Sequence, residues 1–229
     1  MSPKKNNQKL AVARPPGEQH KKNTAFFLFA LIFCLGALFA TQARAQGYET
    51  ISPAQNTGVA DKVEVLEFFW FGCPHCYAFE PSIDEWASNL PENTVFVREA
   101  PPLNPSWESH SRAFYASEIL GISEKFVPAM FNAIHKDRKR MRKPAEIAEL
   151  AETFGVSKKD FTDAMGSFGV QTRMARAMQL ARGTGITGVP AIIVNGKYRI
   201  SSGTAGSHEG MIGAINQTVD AEKSAMGLE

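Results

Sequence analysis

The sequence predicts an α/β fold whose strand-rich domain is interrupted by an all-helical block. Three observations point there. An apolar run at 62–71 and an alternating one at 94–99 read as strands, and the segment between them, 76–90, has helical spacing. Residues 106–182 then carry helical spacing alone. Strand signals return at 190–200, where Asn195-Gly196 separates Ala191-Ile192-Ile193-Val194 from Lys197-Tyr198-Arg199-Ile200, a strong hairpin sequence.

In chain order, residues 46–60 read as an extended lead-in, with a short strand at 48–51. Val63, Val65, Leu66, Phe68, Phe69 and Trp70 nearly fill the first confident strand, which suits a strand covered on both faces. Tyr77, Phe79, Ile83, Trp86 and Leu90 are the expected buried positions of the helix that follows, with Pro81 a candidate kink. Residues 91–93 form a turn, and Val95 and Val97 share one side of the next strand. After Pro101, Pro102 and Pro105, helices are expected at 107–120, 123–135, 144–154, 157–168 and 170–182, the third opening on Pro144. Residues 201–207 read as loop, and 210–219 as a last helix with Met211, Ile212, Ile215 and Val219 inward. The expected division is a leader at 1–45, an α/β part at 46–105 and 183–229, and a helical insert at 106–182.

With 229 residues, 44% hydrophobic, the chain can bury one real core with an inserted subdomain. Residues 1–45 hold seven of the 25 bases and one of the 23 acids, leaving 18 bases and 22 acids beyond them. That acidic balance argues against a general nucleic-acid binder. Residues 1–24 are polar and basic, residues 25–40 form a 16-residue apolar run, and Ala43-Arg44-Ala45 is a small-x-small site. Together they read as a secretory signal cleaved after Ala45, with an uncleaved membrane anchor as the other reading. Either places the domain in an oxidising compartment. Cys34 reads as a small apolar residue of the signal helix.

Cys73 and Cys76 are the two cysteines outside that run, spaced as Cys73-Pro74-His75-Cys76 directly after a strand. A strand feeding a helix through a tight turn would put the first sulfur at the helix N-terminus. There, unpaired N–H groups and the helix dipole favour the thiolate, the nucleophilic form, so a lowered pKa is expected. The other readings are a structural disulfide or half a zinc site, but zinc needs about four ligands and the histidines show no matching spacing. His75 is read as tuning Cys73 by hydrogen bond or charge, or else as plain solvent-facing. Pro74 sets the turn. Glu67 is the one charged residue between Val65 and Phe79. It is either a buried acid relaying a proton to or from Cys76, or an outward-facing strand residue. Trp70 is chosen from the nearby aromatics as a rim residue of an apolar peptide groove. The run 136–143 holds six bases and one acid and reads as a solvated loop, or as a contact for an acidic substrate or anionic headgroups.

Glu67-Phe68-Phe69, Cys73-Pro74-His75-Cys76-Tyr77 and Gly188-Val189-Pro190 with Asn195-Gly196-Lys197-Tyr198 resemble the bacterial periplasmic DsbA family of thiol:disulfide interchange proteins, over about residues 50–222. The resemblance implies a thioredoxin-like fold with an inserted all-helical subdomain. It implies a periplasmic enzyme without cofactor or metal beyond the redox-active disulfide Cys73–Cys76. Such an enzyme donates that disulfide to reduced exported proteins. A membrane quinone-linked reoxidase resembling DsbB then recharges it. By the same likeness Cys73 is the attacking cysteine, Cys76 its buried partner and His75 the tuning residue. Val189 and Pro190 form a cis-proline loop facing the disulfide and the substrate, and Glu67 is a buried acid behind the pair. A monomer without nucleic-acid partner is expected. Gly72 departs from the aromatic residue that the best-known members tend to carry there, and 201–208 departs as well. Competing readings are a disulfide isomerase or reductase of the same fold, or a chaperone-like binding domain with a structural disulfide. Dimeric isomerases carry an N-terminal dimerisation domain, for which residues 46–62 leave no room.

Overall fold

A computed structural model describes residues 46–228, so the expected leader at 1–45 lies outside the described residues. Strand β1 (Glu49–Thr50) precedes β2 (Val63–Phe68), helix α1 (Pro74–Ser88) and β3 (Thr94–Glu99). A 3-10 turn (Pro105–Trp107) opens the helical insert, made of α2 (Glu108–Ile119), α3 (Ser123–His135), α4 (Pro144–Glu152), α5 (Lys158–Gly166) and α6 (Phe168–Thr184). The chain returns through β4 (Ala191–Val194), β5 (Tyr198–Ser201), the one-turn α7 (Ser202–Ala205) and α8 (His208–Met226).

The five strands lie in the order β1-β5-β4-β2-β3, with β2 and β3 parallel and the other neighbours antiparallel. A parallel pair needs a crossover, and α1 supplies it. All six residues of β2 are buried, as a strand covered on both faces requires. Alternation sends Val63 and Val65 into a core with Phe79 and Ile83 of α1 and Met211, Ile215 and Val219 of α8. It sends Leu66 and Phe68 to the other face, against Ala181 and Ile186 at the end of α6. This is the thioredoxin-like arrangement, with the helical subdomain inserted between β3 and β4.

Several boundaries differ from expectation for local reasons. Strand β2 stops at Phe68 rather than residue 71: the Phe69 N–H still bonds the Glu99 carbonyl, and the chain then turns over Phe71 and Gly72 to enter α1. Helix α1 begins at Pro74 and runs through Pro81, which cannot donate the usual i→i−4 bond. Helix α6 continues to Thr184, two residues past the expected edge of the insert, and ends on Gly185 at φ 66°. The segment expected as loop at 201–207 contains α7, held by a reciprocal Ser201–Thr204 capping box. Ser207 then caps α8, which is longer at both ends than the expected 210–219.

Candidate active site

The site is a helix start. The Cys73 N–H donates to the Trp70 carbonyl at 2.9 Å, closing the turn after β2. Cys73 itself is extended (φ −85°, ψ 115°) and caps α1 with its sulfur, which accepts from the Cys76 N–H at 3.3 Å. Pro74 occupies the first helical position, where its missing N–H leaves no bond unmade. Cys73 is 7% exposed and Cys76 fully buried, one turn further in.

Burial and hydrogen bonding divide the two thiols. Cys73 is lowered to about 6, first by the Cys76 side-chain hydrogen bond and then by the Cys76 and His75 backbone N–H groups and the His75 charge. The Cys76 thiol is pushed far up, by burial first and then by the neighbouring Cys73. One sulfur is therefore a stable anion near neutral pH, and the other holds its proton.

Pro74 and His75 are exposed on the surface beside the buried sulfurs. His75 borders a cleft of about 490 Å³ whose walls include Gly188, Val189, Pro190, Arg199 and Ser202. The Val189–Pro190 bond is cis, and the Val189 carbonyl lies 3.4 Å from the Cys73 sulfur. The structure thus brings Cys73, Pro74, His75 and Cys76 together with Val189 and Pro190, two segments more than a hundred residues apart in the chain.

Glu67 is fully buried, which removes the outward-facing reading. It lies on the face of β2 that α1 covers, and its negative charge raises Cys76. In register opposite it on β3 stands Arg98, whose Nε donates to Glu67 Oε2 at 2.8 Å. The Arg98 guanidinium also reaches Glu80 at 3.4 Å and Asp84 at 2.8 Å. Burial raises Glu67, while Glu80 is pushed up to about 8 by burial and then by the Glu67 charge. Glu67 Oε1 has no hydrogen-bond partner among the described residues.

Trp70 is half-buried, and its indole stacks on Trp107 with centroids 4.5 Å apart and planes 6° from parallel. The same ring passes over Gly72: a Cβ built there would lie 2.3 Å from an indole carbon. Gly72 is thus the space the tryptophan needs.

Sequence reasoning missed Arg98, Glu80 and His135. The signal for Arg98 was the lone base in the strand adjoining the lone acid of β2's second half, but register between strands cannot be read from one sequence. His135 ends α3 and its Nε2 lies 2.7 Å from the Phe71 carbonyl, so the ring nitrogen is the donor. Its ring stacks on Tyr77 at 4.7 Å. Among the described residues, no group of three or more His, Cys, Asp or Glu side chains could hold a metal ion, and no helix is long and apolar enough to cross a membrane.

The DSBA-like thioredoxin domain family matches residues 64–209. A thiol:disulfide interchange protein DsbA from Azotobacter vinelandii is 43% identical over 164 residues, 72% of this chain and 77% of that protein. One from Pseudomonas aeruginosa is 35% identical over 202 residues, 88% of this chain and 96% of that protein. The crystal structure of Pseudomonas aeruginosa DsbA matches with a TM-score of 0.74 and 37% identity, over 78% of this chain and 93% of that one. The oxidoreductase DsbA from Xylella fastidiosa matches with a TM-score of 0.73 and 26% identity, over 77% of this chain and 95% of that one. With two buried cysteines at a helix start beside a cis-proline loop, on a thioredoxin-like sheet with a helical insert, the chain belongs to the DsbA family of thiol:disulfide oxidoreductases.

Proposed function

We propose that the protein is a periplasmic dithiol oxidase that donates its Cys73–Cys76 disulfide to reduced exported proteins. The observation that carries this reading is the split between the two thiols, about 6 at Cys73 against a strongly raised Cys76. A substrate thiolate attacks the Cys73 sulfur, the enzyme's S–S bond breaks, and its electron pair leaves on Cys76, which takes up a proton. The resulting mixed disulfide joins the substrate to Cys73. A second substrate thiolate then attacks the substrate sulfur of that bridge, and Cys73 departs as a thiolate. The substrate has lost two electrons and two protons. One proton stays on Cys76 and the other goes to solvent.

The stable Cys73 anion drives both halves. It stabilises the reduced enzyme, so the disulfide is a strong oxidant, and it is the better leaving group in the second step (the general account for which DsbA itself serves as the standard case). Glu67 lies behind Cys76 and acts as the proton relay that the first step requires. His75 holds charge beside Cys73. Val189 and Pro190 position an extended substrate backbone along the cleft, while Trp70, which is not among the residues lining that cleft, rims an apolar groove on the side of the helical insert. Residues 1–45 deliver the domain to the periplasm and are removed after Ala45. A membrane quinone-linked reoxidase resembling DsbB restores the disulfide, and the enzyme works as a monomer.

The test is the equilibrium potential of the Cys73–Cys76 couple against glutathione, with peptide-oxidation and insulin-reduction rates alongside. A strongly oxidising potential with fast peptide oxidation supports the reading. A potential near that of thioredoxin, with insulin reduction dominant, replaces it with a reductase.

A further inference from the structure

The segment between α3 and α4, residues 136–143, holds Lys136, Arg138, Lys139, Arg140, Arg142 and Lys143 against one acid, Asp137. All six bases are exposed. None of them is in an ion pair among the described residues, whereas Arg98, Arg112, Arg173, Lys197 and Arg199 each reach a carboxylate. Residues 46–229 are otherwise acidic, with 22 acids in all to 18 bases, six of them here. Unpaired charge of one sign is thus gathered in a single loop.

That loop is built, not slack. The Asp137 N–H bonds the Asn132 carbonyl at 3.0 Å and the Lys139 N–H bonds the Ala133 carbonyl at 2.9 Å. Arg138 and Met141 both take left-handed backbone conformations, φ 60° and 46°, which non-glycine residues adopt only where the surroundings hold them. Met141 is 4% exposed and packs into the core of the insert, and its carbonyl accepts from His110 Nε2 at 2.9 Å.

Both ends of the loop hang from the active-site turn. At its start, His135 donates to the Phe71 carbonyl, two residues before Cys73. Near its end, the His110 ring that holds Met141 lies 5.9 Å from Trp70 and 6.1 Å from Phe71 by ring centroids. A cleft of about 480 Å³ separates Lys139 and Arg140 from α4, where Glu146 and Glu149 stand, and Glu149 is already paired with Lys158.

We infer that this loop is a docking surface for acidic segments of the polypeptides the enzyme oxidises, steering a substrate with carboxylates near its cysteine toward Cys73. The inference rests on the oxidase reading for its choice of partner. Polypeptide is favoured over a lipid surface because the charges are tethered to the turn that carries the reacting sulfur. A cluster of unpaired cations beside a site raises the encounter rate of an anionic partner, and salt removes the gain.

Two cysteine peptides of one length test it, one with glutamates flanking the cysteines and one with glutamines. A fluorescein-labelled, cysteine-free copy of each reports non-covalent binding. The oxidised enzyme is expected to oxidise the acidic peptide about tenfold faster than the neutral one at low ionic strength, and within about twofold at 0.5 M salt, roughly the loss that screening predicts. In the combined variant Lys139→Gln, Arg140→Gln, Arg142→Gln, Lys143→Gln the acidic-to-neutral ratio is expected to fall toward one, with an unfolding curve matching the parent. Equal rates on both peptides in the parent overturn the docking surface. So does a preference that survives the combined variant, or salt-dependent capture by phosphatidylglycerol vesicles without a peptide preference. Salt-sensitive binding of the cysteine-free acidic peptide with no oxidation of either cysteine peptide keeps the surface and removes the oxidase reading instead.

Discussion

The sulfur of Cys73 lies 3.4 Å from the carbonyl oxygen of Val189. As a thiol it donates to that carbonyl, and as a thiolate it faces an oxygen with nothing to offer. On its other side the Cys76 N–H, 3.3 Å away, favours the anion. Cys73 is thus poised between a contact that holds its proton and a helix start that expels it, and the helix start wins, leaving the thiol at about 6.

Titration of thiolate absorbance in the reduced protein is expected to show a midpoint near 6, absent in Cys73→Ser. The linkage has a definite sign. The folded value lies below the ordinary value of 9.0, so between these two the unfolded chain binds more protons and the reduced fold gains stability as pH rises. That gain is complete only above about 9 and is lost as pH falls through about 6. Urea denaturation of both redox forms at pH 5 and pH 8 is expected to show the reduced-minus-oxidised difference growing at the higher pH. A constant difference would mean that the Cys73 anion is not specially stabilised.

Cys73→Ser is expected to abolish mixed-disulfide formation with a reduced peptide. Cys76→Ser is expected to hold a substrate on Cys73 when a peptide disulfide is supplied, because no resolving thiol remains. Mass spectrometry of the adducts distinguishes the two, and an adduct of equal yield in both variants would reverse the assignment.

Arg98 is the shared counter-charge of Glu67, Glu80 and Asp84. Arg98→Ala leaves buried carboxylates unpaired, and at pH 8 a loss of about 3–5 kcal/mol of stability is expected. The loss is expected to shrink at pH 5, well below the value of about 8 to which Glu80 is pushed, because that acid then holds its proton and no longer needs the guanidinium. Glu67→Gln in the parent separates the two roles of that acid. Its proposed relay requires a changed pH dependence of Cys76 reactivity, whereas a merely structural acid would alter only the denaturation midpoint.

Gly72→Ala is expected to cost about 1–3 kcal/mol, because its Cβ would force the Trp70 indole off Trp107. Near-ultraviolet circular dichroism should lose the signal of the stacked pair. If the space is the reason for the glycine, Trp70→Ala combined with Gly72→Ala should be less destabilised than the two single losses added together.

Much of this was legible in the sequence because it is local. The apolar filling of β2, the Asn195-Gly196 hairpin and the Pro74 helix start each depend on a few adjacent residues. The Cys73 environment follows from them, since a helix start creates its own N–H cluster. What escaped depends on register and on contact between distant segments. Glu67 was left between two opposite readings until the pairing of β2 with β3 placed Arg98 against it. The hold of His135 on the Phe71 carbonyl joins residues 64 positions apart, and no spacing rule announces it. The 201–207 segment looked like loop because a single capped turn leaves no periodicity to detect.

Cys73 and Cys76 belong to the same apolar cluster as Phe126, Met130 and Phe131, which are residues of α3 in the insert. The sulfurs therefore share their packing with a layer that contributes no strand to the sheet. Amide exchange along α3 should slow or quicken with each turnover, so that the inserted helices become a gauge of whether the molecule is charged or spent.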